Sequence, residues 1–171
     1  MSKEEILDLV DHNDQPYKTE NRSQVYKLGL RNFRVINAFI IGSDQKIWIP
    51  KRSAKKALFP SCLDASIGGH VISGETYFEA FVREAKEEMN LNIHELSYRI
   101  LGRYSPHNHP ISAFMTVYLV EFDGCPYYNK NDFDEASWMS LKEIRHLLDQ
   151  KVPSKGDFQF LIQQLSYNLN L

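Results

Sequence analysis

The feature that most constrains this 171-residue chain is a glycine turn running straight into a charged helix. It reads Gly69-His70-Val71-Ile72-Ser73-Gly74-Glu75, followed by Thr76 to Leu91. Thr76 and Glu79 have the spacing of a capping box, so the helix is predicted to start at Tyr77. Phe78, Phe81, Val82, Ala85 and Met89 recur at intervals of three and four, giving one apolar stripe for a core. At about 100° per residue, Glu84, Glu87 and Glu88 fall together on another face. Like charges at that spacing destabilise a helix, and the lysine inside the run, Lys86, projects to the far side.

A hard divalent cation is the simplest counterweight to those acids, because Mg²⁺ takes oxygen ligands and keeps room for water and phosphate oxygens. Ala80 lies between the acids on the same side, so nothing bulky is expected to block approach to them. Arg83, next to Glu84, is able to hold a carboxylate by a bidentate hydrogen bond. Gly68-Gly69 permits backbone angles and close approach that other residues resist, and Gly69 is able to offer its carbonyl to a metal. The bland alternative is a solvated acidic face, the usual fate of a charge run. The glycine loop and the arginine argue against it.

The rest of the chain reads as one domain over residues 1–171. Residues 1–30 give an N-terminal hairpin and a short helix: Ile6 to Val10 and Tyr17 to Lys18 flank a turn-rich hexamer, and Ser23 to Leu30 is helical up to Gly29. Phe33 to Ile41 is a near-continuous apolar strand buried on both faces, turning at Gly42-Ser43-Asp44 into Lys46 to Pro50. The run Lys51-Arg52-Ser53-Ala54-Lys55-Lys56 is either a solvated surface or a place where Arg52 or a lysine meets substrate phosphate. Leu63 to Ile67 is predicted as a short strand, Ile93 as the start of another, and Tyr98 to Tyr104 and Ala113 to Phe122 as longer ones. Asn131 to Glu135 is an acidic loop, Ser140 and Glu143 a second capping box, and Phe158 to Leu169 a last amphipathic helix after Pro153. This order predicts an α+β fold with a mixed sheet packed by helices.

Composition narrows the partners. A net charge of −2 gives no basic footprint for a nucleic acid polymer and no attraction to an anionic membrane. Cys62 and Cys125 form no CxxC pattern and suit free thiols in a reducing cytoplasm. Met1 to Asp14 is acidic without a signal-peptide core, and no apolar run is long enough for a membrane span. The expectation is a cytoplasmic protein acting on a small molecule. Its two surface hairpins are compatible with a homodimer without requiring one.

At the glycine turn and helix, the chain resembles the Nudix family. That family's box is Gly, five residues, Glu, seven residues, Arg-Glu, an aliphatic, any residue, Glu-Glu, any residue, Gly, an aliphatic. Gly69, Glu75, Arg83, Glu84, Glu87, Glu88 and Leu91 match in register, so the box spans 69–91. Ala85 is a small version of the aliphatic, and Asn90 replaces the last glycine as the next best residue for a left-handed helix end. The resemblance implies an α/β/α sandwich with the box helix at the sheet's ligand-binding end. It also implies Mg²⁺ or Mn²⁺ held by Glu84, Glu87, Glu88 and the Gly69 carbonyl, with Arg83 and Glu75 orienting the acids. Water would attack a phosphorus of a diphosphate linked to another moiety. The base is then Glu87 or a loop acid, Asp132, Asp134 or Glu135.

More of the chain resembles one branch, the isopentenyl-diphosphate isomerase-like Nudix proteins. The likeness lies in Leu30-Arg31-Asn32-Phe33-Arg34-Val35, Lys51-Arg52-Ser53, Leu63 to Val71, Trp138-Met139-Ser140-Leu141, and Val152-Pro153 to Phe158. True isomerases carry a cysteine just before the Gly-His, where this chain has Gly68, and Cys62 lies seven residues before Gly69. Their upstream metal-binding histidines correspond to a region that offers Tyr26 and Asn32. Hydrolysis is therefore expected over isomerisation, and a nucleotide-sensing domain without catalysis is the remaining alternative. His70 is a metal or phosphate contact or a hydrogen-bonded turn residue; His107 and His109 are loop residues or substrate contacts. Trp48, Tyr104 and Trp138 are able to stack on a substrate ring, though core packing is the commoner fate of such side chains.

Overall fold

The fold is hung on β3, Arg34–Ile41, whose last six residues are all buried. The computed structural model describes residues 4–170; residues 1–3 of the acidic N-terminal stretch and residue 171 lie outside the described residues. Before β3 come β1 (Ile6–Val10), β2 (Pro16–Asn21) and α1 (Arg22–Lys27). After it come β4 (Ile47–Arg52), β5 (Ile67–His70), α2 (Tyr77–Met89), β6 (Tyr98–Tyr104), β7 (Phe114–Glu121), β8 (Phe133–Met139), α3 (Leu141–Asp149) and α4 (Phe158–Leu169).

The main sheet runs β6-β7-β3-β4-β8, with β5 also on β3. β3 and β7 are parallel and the other pairs antiparallel, which is the expected mixed sheet. Both central strands alternate between two cores, as side chains on successive strand residues must. Ile36, Ala38, Ile40, Tyr118 and Val120 pack with Phe81, Ala85 and Met89 of α2. Phe39, Ile41, Met115, Val117 and Leu119 pack with Ile144 of α3 and Phe158, Leu161 and Leu165 of α4. The result is the α/β/α layering, and each fully buried large side chain contributes about 1.5–3 kcal/mol. A third cluster, with Leu7, Leu9, Val25, Phe33 and Ala113, seats the β1–β2 hairpin and α1. No helix among the described residues is long and apolar enough to cross a membrane.

One departure from regular pairing makes room for the site. β4 is registered with β3 only at Ile41↔Ile47, and β5 takes over that edge from Val35 to Ala38. The Ser66 hydroxyl fills the junction, accepting from Ile40 N at 2.9 Å and donating to Trp48 O at 2.5 Å. The ladder's polar groups thus stay satisfied where the strands part.

Three local expectations are corrected. Leu63 makes only isolated bridges, and the strand lies later, on Ile67–His70 itself. Ile93–Glu95 is a 3₁₀ turn capped by Asn92 rather than a strand. Asp134 and Glu135 lie on β8 and not in a loop.

Candidate active site

Helix α2 begins as its sequence requires. Thr76 Oγ1 accepts from Glu79 N at 3.2 Å while Thr76 N donates to Glu79 Oε2 at 2.7 Å. Its far end closes at Asn90 with φ 52° and ψ 33°, the left-handed geometry expected there. The apolar stripe is buried or half-buried as predicted, but Ala80 is a correction. It is fully buried in the sheet-facing core, so it belongs to the apolar stripe and not to an open surface beside the acids.

The acids are ordered by Arg83. Its Nε and Nη2 clamp Glu75 at 2.8 and 2.9 Å, its Nη1 meets Glu84 Oε1 at 2.6 Å and Glu87 Oε2 at 3.5 Å, and Nη2 also reaches the His70 carbonyl at 2.9 Å. The bidentate partner is thus Glu75, which accepts from Ile72 N as well. Burial pushes the Glu84 carboxyl up to about 7, against the pull of Arg83 and with a further push from Glu87. Glu88 is raised well above its ordinary value by burial and then by Glu84, while the Gly68 N–H donated to Oε2 at 2.9 Å opposes the shift. Glu87 is the open member, its side chain 58% exposed.

The glycines serve close approach, since neither Gly68 nor Gly69 has a positive φ. A side chain at 69 would begin 2.7 Å from Glu84 Cγ, inside the space that acid occupies. The strand register also decides which carbonyl faces the helix. Val35 lies opposite His70 and Val71 N donates to Arg34 O, so the Gly69 carbonyl is taken by the β3 ladder. Gly68 and His70 turn their peptide groups the other way, to Glu88 and Arg83. The glycine carbonyl on the acid side is therefore that of Gly68, one residue before the expected one.

The basic run turns inward on acids. Arg52 donates to Asp64 Oδ2 at 2.8 Å and to the Leu58 and Phe59 carbonyls, Lys51 pairs with Glu135 at 2.7 Å, and Lys56 with Asp132. Asp134 accepts from Ala54 N at 2.8 Å. Of those four acids, Asp64 and then Asp132 add to the push on Glu88. His107 packs on Phe114, and His109 on Tyr104 and Phe160. Trp48 packs on Trp138 and Tyr128. Cys62 and Cys125 are free thiols. Asn32 bonds Tyr17 and Val10, away from the Tyr26–His70 pair.

Sequence reading missed Asp64, which is buried and also lies 3.5 Å from Lys155 Nζ. It missed Glu5, and it missed that Tyr26 meets His70 from the N-terminal unit. Spacing carried no signal for partners so far apart.

Among the described residues, no three His, Cys, Asp or Glu side chains gather around one metal-sized point. The donor chemistry nonetheless fits a hard divalent cation. Its donors are all oxygens, and two crowded carboxyls are held far from their preferred charge state by burial. Gly69 leaves the cradle in which one of them rests.

The site is thus an arginine-ordered acidic helix laid against a glycine strand within an α/β/α sandwich. The model of the NUDIX domain matches residues 31–160. An uncharacterized Nudix hydrolase of Nostoc sp. is 46% identical over 96% of this chain and 97% of its own. The crystal structure of DR0079 from Deinococcus radiodurans superposes with a TM-score of 0.89 at 41% identity, covering 94% of this chain and 98% of that one. Isopentenyl-diphosphate Delta-isomerase 2 of Photorhabdus laumondii is 26% identical over 85% of this chain and 83% of its own, which marks the related branch. The chain belongs to the Nudix hydrolase family, whose members generally use divalent metals, and this implies hydrolysis of a diphosphate bond.

Proposed function

We propose that the chain hydrolyses a diphosphate bond in a nucleoside diphosphate linked to another moiety, or in a related small diphosphate, with Mg²⁺ or Mn²⁺. The observation that carries this reading is the Arg83 guanidinium binding Glu75, Glu84 and Glu87 together beside the glycine strand. Glu84, Glu87 and Glu88 would hold the ion, with the Gly68 carbonyl in the role first expected of Gly69. Bound there, a divalent ion neutralises phosphate charge and lowers the pKa of water. Glu87, exposed and only 3.5 Å from Arg83, is the acid free to take a proton from the attacking water. Asp132, Asp134 and Glu135 are all engaged by the cationic loop, and Asp132 is the second candidate because it also acts on Glu88. Arg83 and Glu75 position Glu84.

An isomerase would need a strong acid where Gly68 stands. The space that a side chain would enter there is bordered by Asn37 Oδ1 at 3.1 Å and Lys155 Nζ at 3.6 Å, neither a strong acid. The test is a panel of nucleoside, sugar, dinucleotide and isoprenyl diphosphates with Mg²⁺, assayed beside Glu87→Gln. Cleavage lost in the variant supports the reading and names the substrate class. Isomerised isopentenyl diphosphate without released phosphate overturns it.

A further inference from the structure

The N-terminal hairpin reaches the glycine strand through one imidazole. His70 is half-buried, with Nε2 2.9 Å from the Tyr26 hydroxyl and Nδ1 3.2 Å from Glu5 Oε2. The Glu5 approach is a close polar contact without hydrogen-bond geometry, and an ion pair only when the imidazole is protonated. Tyr26 and Nε2 share a hydrogen bond whose direction follows the ring's tautomer, while Glu5 faces the other nitrogen. Both nitrogens of this ring thus face the N-terminal unit.

The same unit grips the residues that follow. Leu7 bridges Ile72, Ser73 N donates to Ile6 O at 2.7 Å, and Asp8 accepts from Ser73 Oγ at 2.7 Å and from Gly74 N at 3.2 Å. β5 needs such support. It is four residues long, has two glycines at its centre, and is paired with β3 on one edge. Strands that short and glycine-rich have little stiffness of their own. On the other edge its groups meet functional side chains, Glu88 at Gly68 and Arg83 at His70. Packing on Phe33 accounts for the Tyr26 ring but not for its hydroxyl, which reaches His70 from a residue 43% exposed.

We propose that Tyr26 and Glu5 are positioning residues of the hydrolytic site. Through the His70 ring they fix the strand whose backbone faces Glu88 and Arg83, and so set metal affinity and turnover. The turnover half rests on the hydrolase reading; the metal half does not.

Tyr26→Phe removes one hydroxyl and keeps the ring contacts with His70 and Phe33. Mn²⁺ affinity by titration calorimetry, kcat, KM and Tm are measured for the full chain and each variant. The expected result is a Mn²⁺ Kd raised and a kcat lowered about five- to tenfold, with KM within about twofold and Tm within about 3 °C. Glu5→Gln shows a smaller loss of the same kind. His70→Gln, which keeps an acceptor for Tyr26, retains more metal affinity than His70→Leu. Tyr167→Phe, at a residue 82% exposed, matches the parent. Parental Mn²⁺ affinity and kcat in Tyr26→Phe overturn the proposal, and so does a loss that merely follows a fall in Tm. If the parent chain cleaves no diphosphate, the hydrolase reading fails, and Mn²⁺ affinity still decides the role of Tyr26.

Discussion

Glu84 and the missing side chain of Gly69 occupy the same space: Glu84 Cγ lies 2.7 Å from the point where a side chain at 69 would begin. A buried carboxylate on the helix is thus admitted to the sheet edge only because residue 69 has no Cβ. Gly69→Ala forces Glu84 or the strand to shift. The expected cost is about 1–3 kcal/mol of stability from overpacking and about a hundredfold in kcat from displaced acids. Thermal melting and steady-state kinetics of the variant check both. Parental kinetics would show that Glu84 tolerates displacement.

Arg83 is predicted to resist even conservative replacement. Lysine is a point charge and cannot reproduce a fork that meets Glu75 twice and Glu84 once. Arg83→Lys should lower metal affinity or kcat about 10- to 100-fold, the range for residues that orient ligands. Arg83→Ala should also lose about 1–3 kcal/mol of stability, since it leaves partly buried carboxylates unpaired. Calorimetric Mn²⁺ titration separates the loss of binding from the loss of folding.

The pH dependence follows from Glu84. Its carboxyl is raised from 4.5 to about 7, chiefly by burial, so the folded protein holds a proton there that the unfolded chain releases. Stability of the metal-free protein should therefore fall as pH rises through that window, by at most about 3 kcal/mol from this group. A divalent ion competes with the proton, so the rise in Tm on adding Mg²⁺ should be larger at about pH 8 than at about pH 5. Equal shifts at both pH values would remove Glu84 from the ligand set.

The helix end offers a test of the departure from the box at Asn90. Its φ of 52° is left-handed, so Asn90→Gly should change stability by less than about 1 kcal/mol. Asn90→Val should cost about 1–2 kcal/mol, because a branched residue resists that conformation. Denaturant unfolding of the two variants measures the difference.

What was legible in the sequence was what local chemistry controls. The capping boxes at Thr76 and Ser140 formed because each pair lies within one turn of chain. β3 and β7 were readable because burial on both faces leaves little polar residue to obscure the pattern. β5 was misplaced because its glycines have no strand propensity, and only the pairing with β3 makes them extended. β8 was hidden for the opposite reason: Asp134 and Glu135 are exposed on an edge strand and read as loop. At the site, the acids and Arg83 were visible through helical spacing. The hold of Tyr26 and Glu5 on His70 was not, because tertiary folding alone brings them together. Which glycine carbonyl faces the acidic helix was equally invisible, since strand register decides it.

The central claim is that Glu84, Glu87 and Glu88 support attack of water on phosphorus. The most direct measurement is phosphorus NMR of a cleaved diphosphate in heavy-oxygen-labelled water, with and without Mg²⁺, for the parent chain and Glu87→Gln. The account predicts one labelled phosphate product that needs Mg²⁺ and is lost in the variant. An unlabelled product, or cleavage that continues unchanged without the ion or with Glu87→Gln, would contradict it.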